Sequence, residues 1–151
     1  MLINPTHYEH ITGAVIASAI DVHRELGPGL LESPYVPCLQ FELRSRNLRF
    51  DSQRAVPIIY KGVTLDTRFR IDLIVEDQVI VEVKSVDAIL PVHRAQLLTY
   101  LRLANCPVGL VINFNVPVLK DGVKRVLNPA ALLRARGGAD LAVSDENLQC
   151  E

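Results

Sequence analysis

Asp72, Glu82 and Lys84 stand in the run Arg68 to Val86, RFRIDLIVEDQVIVEVKSV, where most other positions are apolar and many are β-branched. Two carboxylates and an amine are groups suited to holding a hard divalent cation and orienting water for hydrolysis. Side chains alternate faces along a strand, so Ile80, Glu82, Lys84 and Val86 share a face. On the strand before it, Arg70, Asp72, Ile74 and Glu76 share a face, opposite Phe69, Ile71, Leu73 and Val75. A three-residue connection, Glu76-Asp77-Gln78, centres the pairing on Asp77 and sets Asp72 directly opposite Glu82. A two-residue connection would turn the acids to opposite faces. Opposed carboxylates beside a single lysine repel, burial raises that cost, and a divalent metal such as Mg²⁺ would resolve the conflict. The competing reading is a surface hairpin with a solvated charged face and Lys84 paired to a neighbouring acid, since E-x-K on a strand is weak evidence by itself.

A second candidate group lies in PVHRAQLLTYLRL. His93, Gln96 and Tyr100 fall on one helical stripe, and Leu97, Leu101 and Ala104 on an apolar one. The polar stripe faces either a site or solvent.

The elements that must position these groups follow from periodicity. Ile11, Val15, Ala19, Val22 and Leu26 recur at helical spacing within His7 to Leu26, and Gly27-Pro28-Gly29 ends the pattern. A second helix is expected over roughly Leu30 to Asn47, with Leu39 and Leu43 inward. Pro34 and Pro37 argue that it becomes regular only near Pro37, leaving Glu32 on a looser turn. Strands are expected at Ala55 to Tyr60, Val63 to Val75 and Val79 to Val86, as an antiparallel meander. A helix over Pro91 to Ala104 and a strand at Val108 to Asn113, buried on both faces, follow. Val118 to Leu127 reads as a further strand or a turn. One domain over residues 1–127 is expected, with a short helix and an acidic, flexible tail over 128–151.

The 151 residues are 49% hydrophobic, enough for a real core. A formal net charge of −1 excludes general polyanion binding by a basic excess, so any nucleic-acid site must be local. No apolar run approaches the roughly 20 residues of a bilayer span, and MLINPTHYEH lacks a basic segment followed by an apolar one. A soluble, cytoplasmic protein is expected, with no membrane partner. Cys38, Cys106 and Cys150 follow no zinc or redox spacing and read as reduced thiols. His7, His10 and His93 share no ligand spacing, which disfavours zinc. His23 is expected to act electrostatically at its helix end.

The strings HRELGPGLLES, IDLIVEDQVIVEVKSV, HRAQLLTYLRL and GLVINFNVPVLKDGVKRV, in this order from about Ile11 to Val126, resemble the PD-(D/E)XK nuclease superfamily. Within it they resemble the small proteins called the GxxExxY family, whose naming motif is matched by Gly29, Glu32 and Tyr35. Ile71 stands where the superfamily motif has its proline. The resemblance implies a restriction-endonuclease-like α/β core, a central four-stranded mixed sheet flanked by helices in the order α-α-β-β-β-α-β. It implies that Asp72 and Glu82 bind Mg²⁺, with Mn²⁺ as the alternative ion, that Lys84 positions or polarises the attacking water, and that Glu32 supports the metal or its water. Gln96 and Tyr100 resemble a Q-x-x-x-Y element that borders the site and contacts the nucleic-acid strand. Some relatives with that element hold an iron-sulfur cluster on four cysteines; three scattered cysteines imply none here.

Metal-dependent hydrolysis of DNA, or less readily RNA, is the activity these implications describe. Arg68, Arg70, Arg94 and Arg102 are candidate phosphate contacts, weighed against ordinary surface arginines. The rival reading is a catalytically inactive binding or regulatory protein on a nuclease scaffold. A third is an oligomeric or protein-binding module using VGLVINF or NVPVLKDGV as its partner surface.

Overall fold

The computed structural model describes residues 5–135. Helices α1 (Pro5–Leu26) and α2 (Glu32–Ser45) lead into strands β1 (Phe50–Tyr60), β2 (Val63–Val75) and β3 (Val79–Lys84). Helix α3 (Pro91–Ala104), strand β4 (Val108–Asn113), a 3-10 turn (Leu119–Gly122), strand β5 (Val123–Leu127) and helix α4 (Pro129–Ala135) complete the order. The acidic tail expected after α4 lies outside the described residues.

The strands form one mixed sheet in the order β1-β2-β3-β4-β5. Only β3 and β4 are parallel; the other neighbours run antiparallel. A parallel pair needs a long crossover, and α3 supplies it. Four strands were expected, and the described residues form five. The segment read as a strand or a turn becomes β5, whose pairing with β4 runs from Val108–Leu127 to Ile112–Val123. Every residue of β4 is buried, as a strand covered on both faces must be.

Two apolar layers hold the sheet. On one face Ile11, Val15, Ala19 and Val22 of α1 and Tyr35, Leu39 and Leu43 of α2 pack against Leu73, Val75, Val79, Val81 and Val83. On the other, Leu97, Tyr100 and Leu101 of α3 cover Ile71, Ile74, Ile80 and Val111. Leu26, expected inward, is instead exposed, because it ends its helix beyond the sheet-facing residues.

Helix α2 begins at Glu32, not near Pro37. Pro34 occupies the third helical position, where a backbone N–H has no intrahelical acceptor to lose. Pro37 lies inside the helix and removes one bond, at a cost of about 3 kcal/mol. Tyr35, Leu39 and Leu43 are fully buried, and each side chain contributes about 1.5–3 kcal/mol on burial, which outweighs that cost.

Strict alternation along β2 also fails. Ile71 and Ile74 pack under α3, whereas Leu73 and Val75 pack under α1 and α2. The pattern therefore changes phase between Ile71 and Leu73, at Asp72. Across the β1 ladder, pairs are made by Ser52 with Leu73 and by Arg54 with Ile71, and the residue between, Gln53, has φ +54°. A non-glycine residue in the left-handed region marks a local break in strand geometry. This break lies across from Asp72, where the phase of β2 changes.

Candidate active site

The turn after β2 closes through Glu76 and Asp77, both left-handed at φ +52° and +55°, with the Gln78 N–H donating to the Val75 carbonyl at 3.1 Å. The pairs Val75–Val79, Ile74–Ile80 and Leu73–Val81 follow. This is the register that a three-residue connection dictates. Past Leu73 the ladder passes to side chains. Asp72 Oδ2 accepts the Val83 N–H at 2.9 Å, and Glu82 Oε1 accepts the Asp72 N–H at 3.4 Å. The two acids therefore sit where the strands part, each taking a backbone donor.

Burial and mutual repulsion load this pair. Glu82 is only 8% exposed. Burial first, then the Asp72 charge, pushes its pKa up to about 8. Burial likewise raises Asp72, opposed by the Val83 N–H and the Lys84 charge and reinforced by Glu32. Lys84 ends β3, half-buried. Its charge lowers both carboxylates, yet among the described residues it makes no ion pair within 4.0 Å. The solvated-hairpin reading, with Lys84 paired to a neighbouring acid, does not describe this geometry.

Neighbouring strands and loops fix these groups. The Lys84 carbonyl accepts the Phe114 N–H at 2.9 Å. Asn113, 2% exposed and register partner of Lys84, accepts the Val86 N–H at 3.1 Å and donates to the Val86 carbonyl at 2.9 Å. Both ends of the Asn113 amide thus hold the chain leaving Lys84.

Glu32 is the exposed first residue of α2, and its charge reaches Asp72. An acid is favoured at that helix end by the macrodipole. The preceding loop is pinned from two sides. The Tyr35 hydroxyl donates to the Gly27 carbonyl at 2.6 Å and accepts the Leu30 N–H at 3.3 Å. Ser85, next to Lys84, donates from its hydroxyl to the Leu30 carbonyl. The Tyr35 ring stacks on Phe114 at 4.4 Å between centroids. Gly29 turns this loop at φ +97°, a conformation that L side chains rarely adopt. Tyr35→Phe is expected to lower stability by about 1–2 kcal/mol, the scale of a buried polar group left unpaired, while keeping the ring stack. Chemical denaturation at equilibrium checks this.

Tyr100 lies 7% exposed against Phe69, with ring centroids 4.9 Å apart. Burial raises its pKa, and the charges of Glu82 and Asp72 raise it further. Glu32, Asp72, Glu82, Lys84 and Tyr100 are thus linked electrostatically around the two acids. Gln96, one turn before Tyr100, is exposed, as are Arg68, Arg70, Arg94 and Arg102. No contact ties these five residues to the acids. His93 uses Nδ1 to accept the Leu90 N–H at 3.0 Å, which caps α3. His23 bonds the Val116 carbonyl through Nε2 at 2.8 Å and so also tethers α1 to the segment after β4.

Ser85 and Asn113 are the positioning residues that sequence reasoning missed. Ser85 follows Lys84 directly, but no periodicity points its hydroxyl at Leu30. Asn113 ends an apolar strand, where a lone amide signals a cap more readily than a brace.

Among the described residues, no three His, Cys, Asp or Glu side chains cluster to form a metal cage. The donor set is two carboxylates. That suits Mg²⁺, which keeps several waters and takes one or two carboxylates.

A mixed sheet between helical layers, with two acids and a lysine where β2 and β3 part, defines a nuclease-like α/β protein. The sequence profile described as PD-(D/E)XK nuclease superfamily matches residues 9–126, and the chain belongs to that superfamily. Its nucleases typically use divalent metals. No curated protein matches the chain. A solved structure, "Crystal structure of SSO0001", is similar at 21% identity with a TM-score of 0.45. The match covers 68% of this chain and 54% of that one, so this chain spans about half the length of that relative. Among the described residues no helix is long and apolar enough to cross a membrane.

Proposed function

We propose that this protein is a cytoplasmic, metal-dependent nuclease that hydrolyses phosphodiester bonds of DNA, with residues 1–127 acting as one catalytic domain. The observation that carries this reading is the opposed pair of half-buried Asp72 and buried Glu82, beside a Lys84 that makes no ion pair among the described residues. A purely structural role gains little from two acids forced together in a partly dry opening. Gly29, Glu32 and Tyr35 support placement in the GxxExxY branch of the superfamily.

Asp72 and Glu82 would hold Mg²⁺ or Mn²⁺, and the bound ion supplies a lowered water pKa and stabilisation of phosphoryl charge. Lys84 orients the attacking water and steadies negative charge as it develops. Glu32 accepts hydrogen bonds from water at the same place. Tyr100 walls the site and excludes bulk water from one side, and Gln96 meets the strand at the surface. Arg70 and Arg94 neutralise phosphates flanking the scissile one.

An inactive nuclease scaffold that binds a regulatory or protein partner is the second reading, favoured by the net charge of −1. Calorimetric titration of Mn²⁺ and Mg²⁺ into wild type and Asp72→Ala/Glu82→Ala, paired with DNA incubation, separates the two. Metal binding lost in the double variant, with cleavage by wild type alone, is expected. Silence from both proteins at millimolar metal would overturn the enzyme reading.

A further inference from the structure

The β1–β2 hairpin is longer than the sheet needs. Strand β3 pairs with β2 only at Leu73, Ile74 and Val75, yet β2 begins at Val63. Between Pro57 and Arg68 no residue is buried, so this stretch stands out as a two-stranded ribbon. Its tip exposes Tyr60 and Val63, each 60% exposed and paired with each other. Alternation along β1 puts the Tyr60–Val63 pair on the same face as the Val56–Phe69 pair, and Phe69 packs on Tyr100 beside the acids. An apolar, partly aromatic strip thus leads from the candidate site to the tip.

The charge of the ribbon is opposite to that of the rest. Between the paired residues Ala55 and Arg70, Lys61, Arg68 and Arg70 stand against a single acid, Asp66, a net of +2 in a chain totalling −1. Arg70 and Arg68 stand two and four residues before Asp72 and carry no ion pair among the described residues. At about 3.4 Å per residue the tip lies roughly 30 Å from Asp72, about nine base pairs of B-form duplex.

From this geometry we infer that the β1–β2 ribbon is a duplex-DNA arm, which lies in the major groove and feeds the backbone to Asp72 and Glu82. The inference rests on the nuclease reading for its second half only. A B-form major groove admits a two-stranded ribbon, whereas that of A-form RNA is too narrow and deep to read. Tyr60 and Val63 meet base edges, and the arginine stems reach phosphates at the groove rim. Addition of a strand from another copy fits less well. Edge strand β1 carries Pro57, and the free edge of β2 beyond β3 is interrupted by the register irregularity opposite Pro57–Ile59, so neither edge offers a continuous ladder.

The test is fluorescence anisotropy of the full chain in EDTA with three labelled probes, a 24-base-pair DNA duplex, the matching RNA duplex and single-stranded DNA. The DNA duplex is expected to bind at least tenfold more tightly than either other probe. Tyr60→Ser/Lys61→Ser/Val63→Ser is expected to lose about tenfold for that duplex and almost nothing for a six-base-pair one. Lys61→Glu, which leaves the apolar tip intact, is expected to weaken binding and flatten the salt dependence. Unchanged duplex affinity in both variants would overturn the arm, as would preference for RNA or a single strand. A dimer by sedimentation that the triple variant dissolves, with DNA affinity intact, would also overturn it and mark a self-interface. Ribbon-dependent binding without Mn²⁺-dependent cleavage would support the arm and sink the nuclease reading. Cleavage with tip-independent binding would sink the arm alone.

Discussion

Lys84→Ala is expected to retain Mn²⁺ binding by calorimetry while its DNA cleavage falls by about 10²–10³-fold, the scale of losing one charge-stabilising donor from an active site. The split between binding and rate matters. Asp72 and Glu82 carry the carboxylate oxygens and keep their backbone partners, the Asp72 and Val83 amides, when the lysine is cut back. The ammonium group carries no metal-binding lone pair, so its removal acts on the water and on charge developing at phosphorus. Lys84→Arg tests position against charge. The lysine ends β3 with its carbonyl bonded to the Phe114 amide and its chain braced by Asn113, so a longer, forked side chain places its charge elsewhere. Cleavage by Lys84→Ala at the wild-type rate would remove the lysine from the mechanism.

The second large effect is on stability, and it is visible without any substrate. In the folded protein Glu82 takes up a proton at about 8, against 4.5 for its ordinary value. Between those values the folded state binds more protons than the unfolded one, so metal-free stability falls as pH rises from about 4.5 to about 8 and levels off beyond. The loss is on the order of 4 kcal/mol, a drop in Tm of roughly 10 °C for a chain of this size. Glu82→Gln keeps an oxygen for the Asp72 amide and removes the charge. Its Tm is expected to fall less than that of the wild type over that range, with burial of Asp72 the part that remains, and to exceed the wild-type value at pH 8. Millimolar Mn²⁺ is expected to restore the wild type at pH 8, by binding the folded state alone, and to do far less for Glu82→Gln. Thermal melts at pH 5 and pH 8, with and without metal, read all four cases. Parallel pH profiles for the two proteins would show that Glu82 is not loaded in this way.

Much of the site was legible because it depends on short-range counting. A three-residue turn after Val75 fixes the Asp72 and Glu82 register whatever else the chain does, and the pairs from Leu73–Val81 to Val75–Val79 obey it. Helical stripes in α1 and α3 and the apolar run of β4 follow from periodicity in the same way, since each segment needs one face or both out of water. Pro37 misled because a local cost of about 3 kcal/mol was weighed without the burial of Tyr35, Leu39 and Leu43. That burial needs α1 and the sheet to be present already.

Turn length, alternation and motif spacing are properties of neighbours along the chain, so the order of elements through β4, the opposed acids with their lysine and the superfamily resemblance are readable from the residues alone. The phase change at Asp72, the fifth strand and the link from Ser85 to Leu30 across 55 residues come from packing between distant segments. That packing also sets how strongly the acids are loaded, since the loading depends on which side chains exclude water around them. A chain of residues specifies which charges meet, and packing sets what their meeting costs.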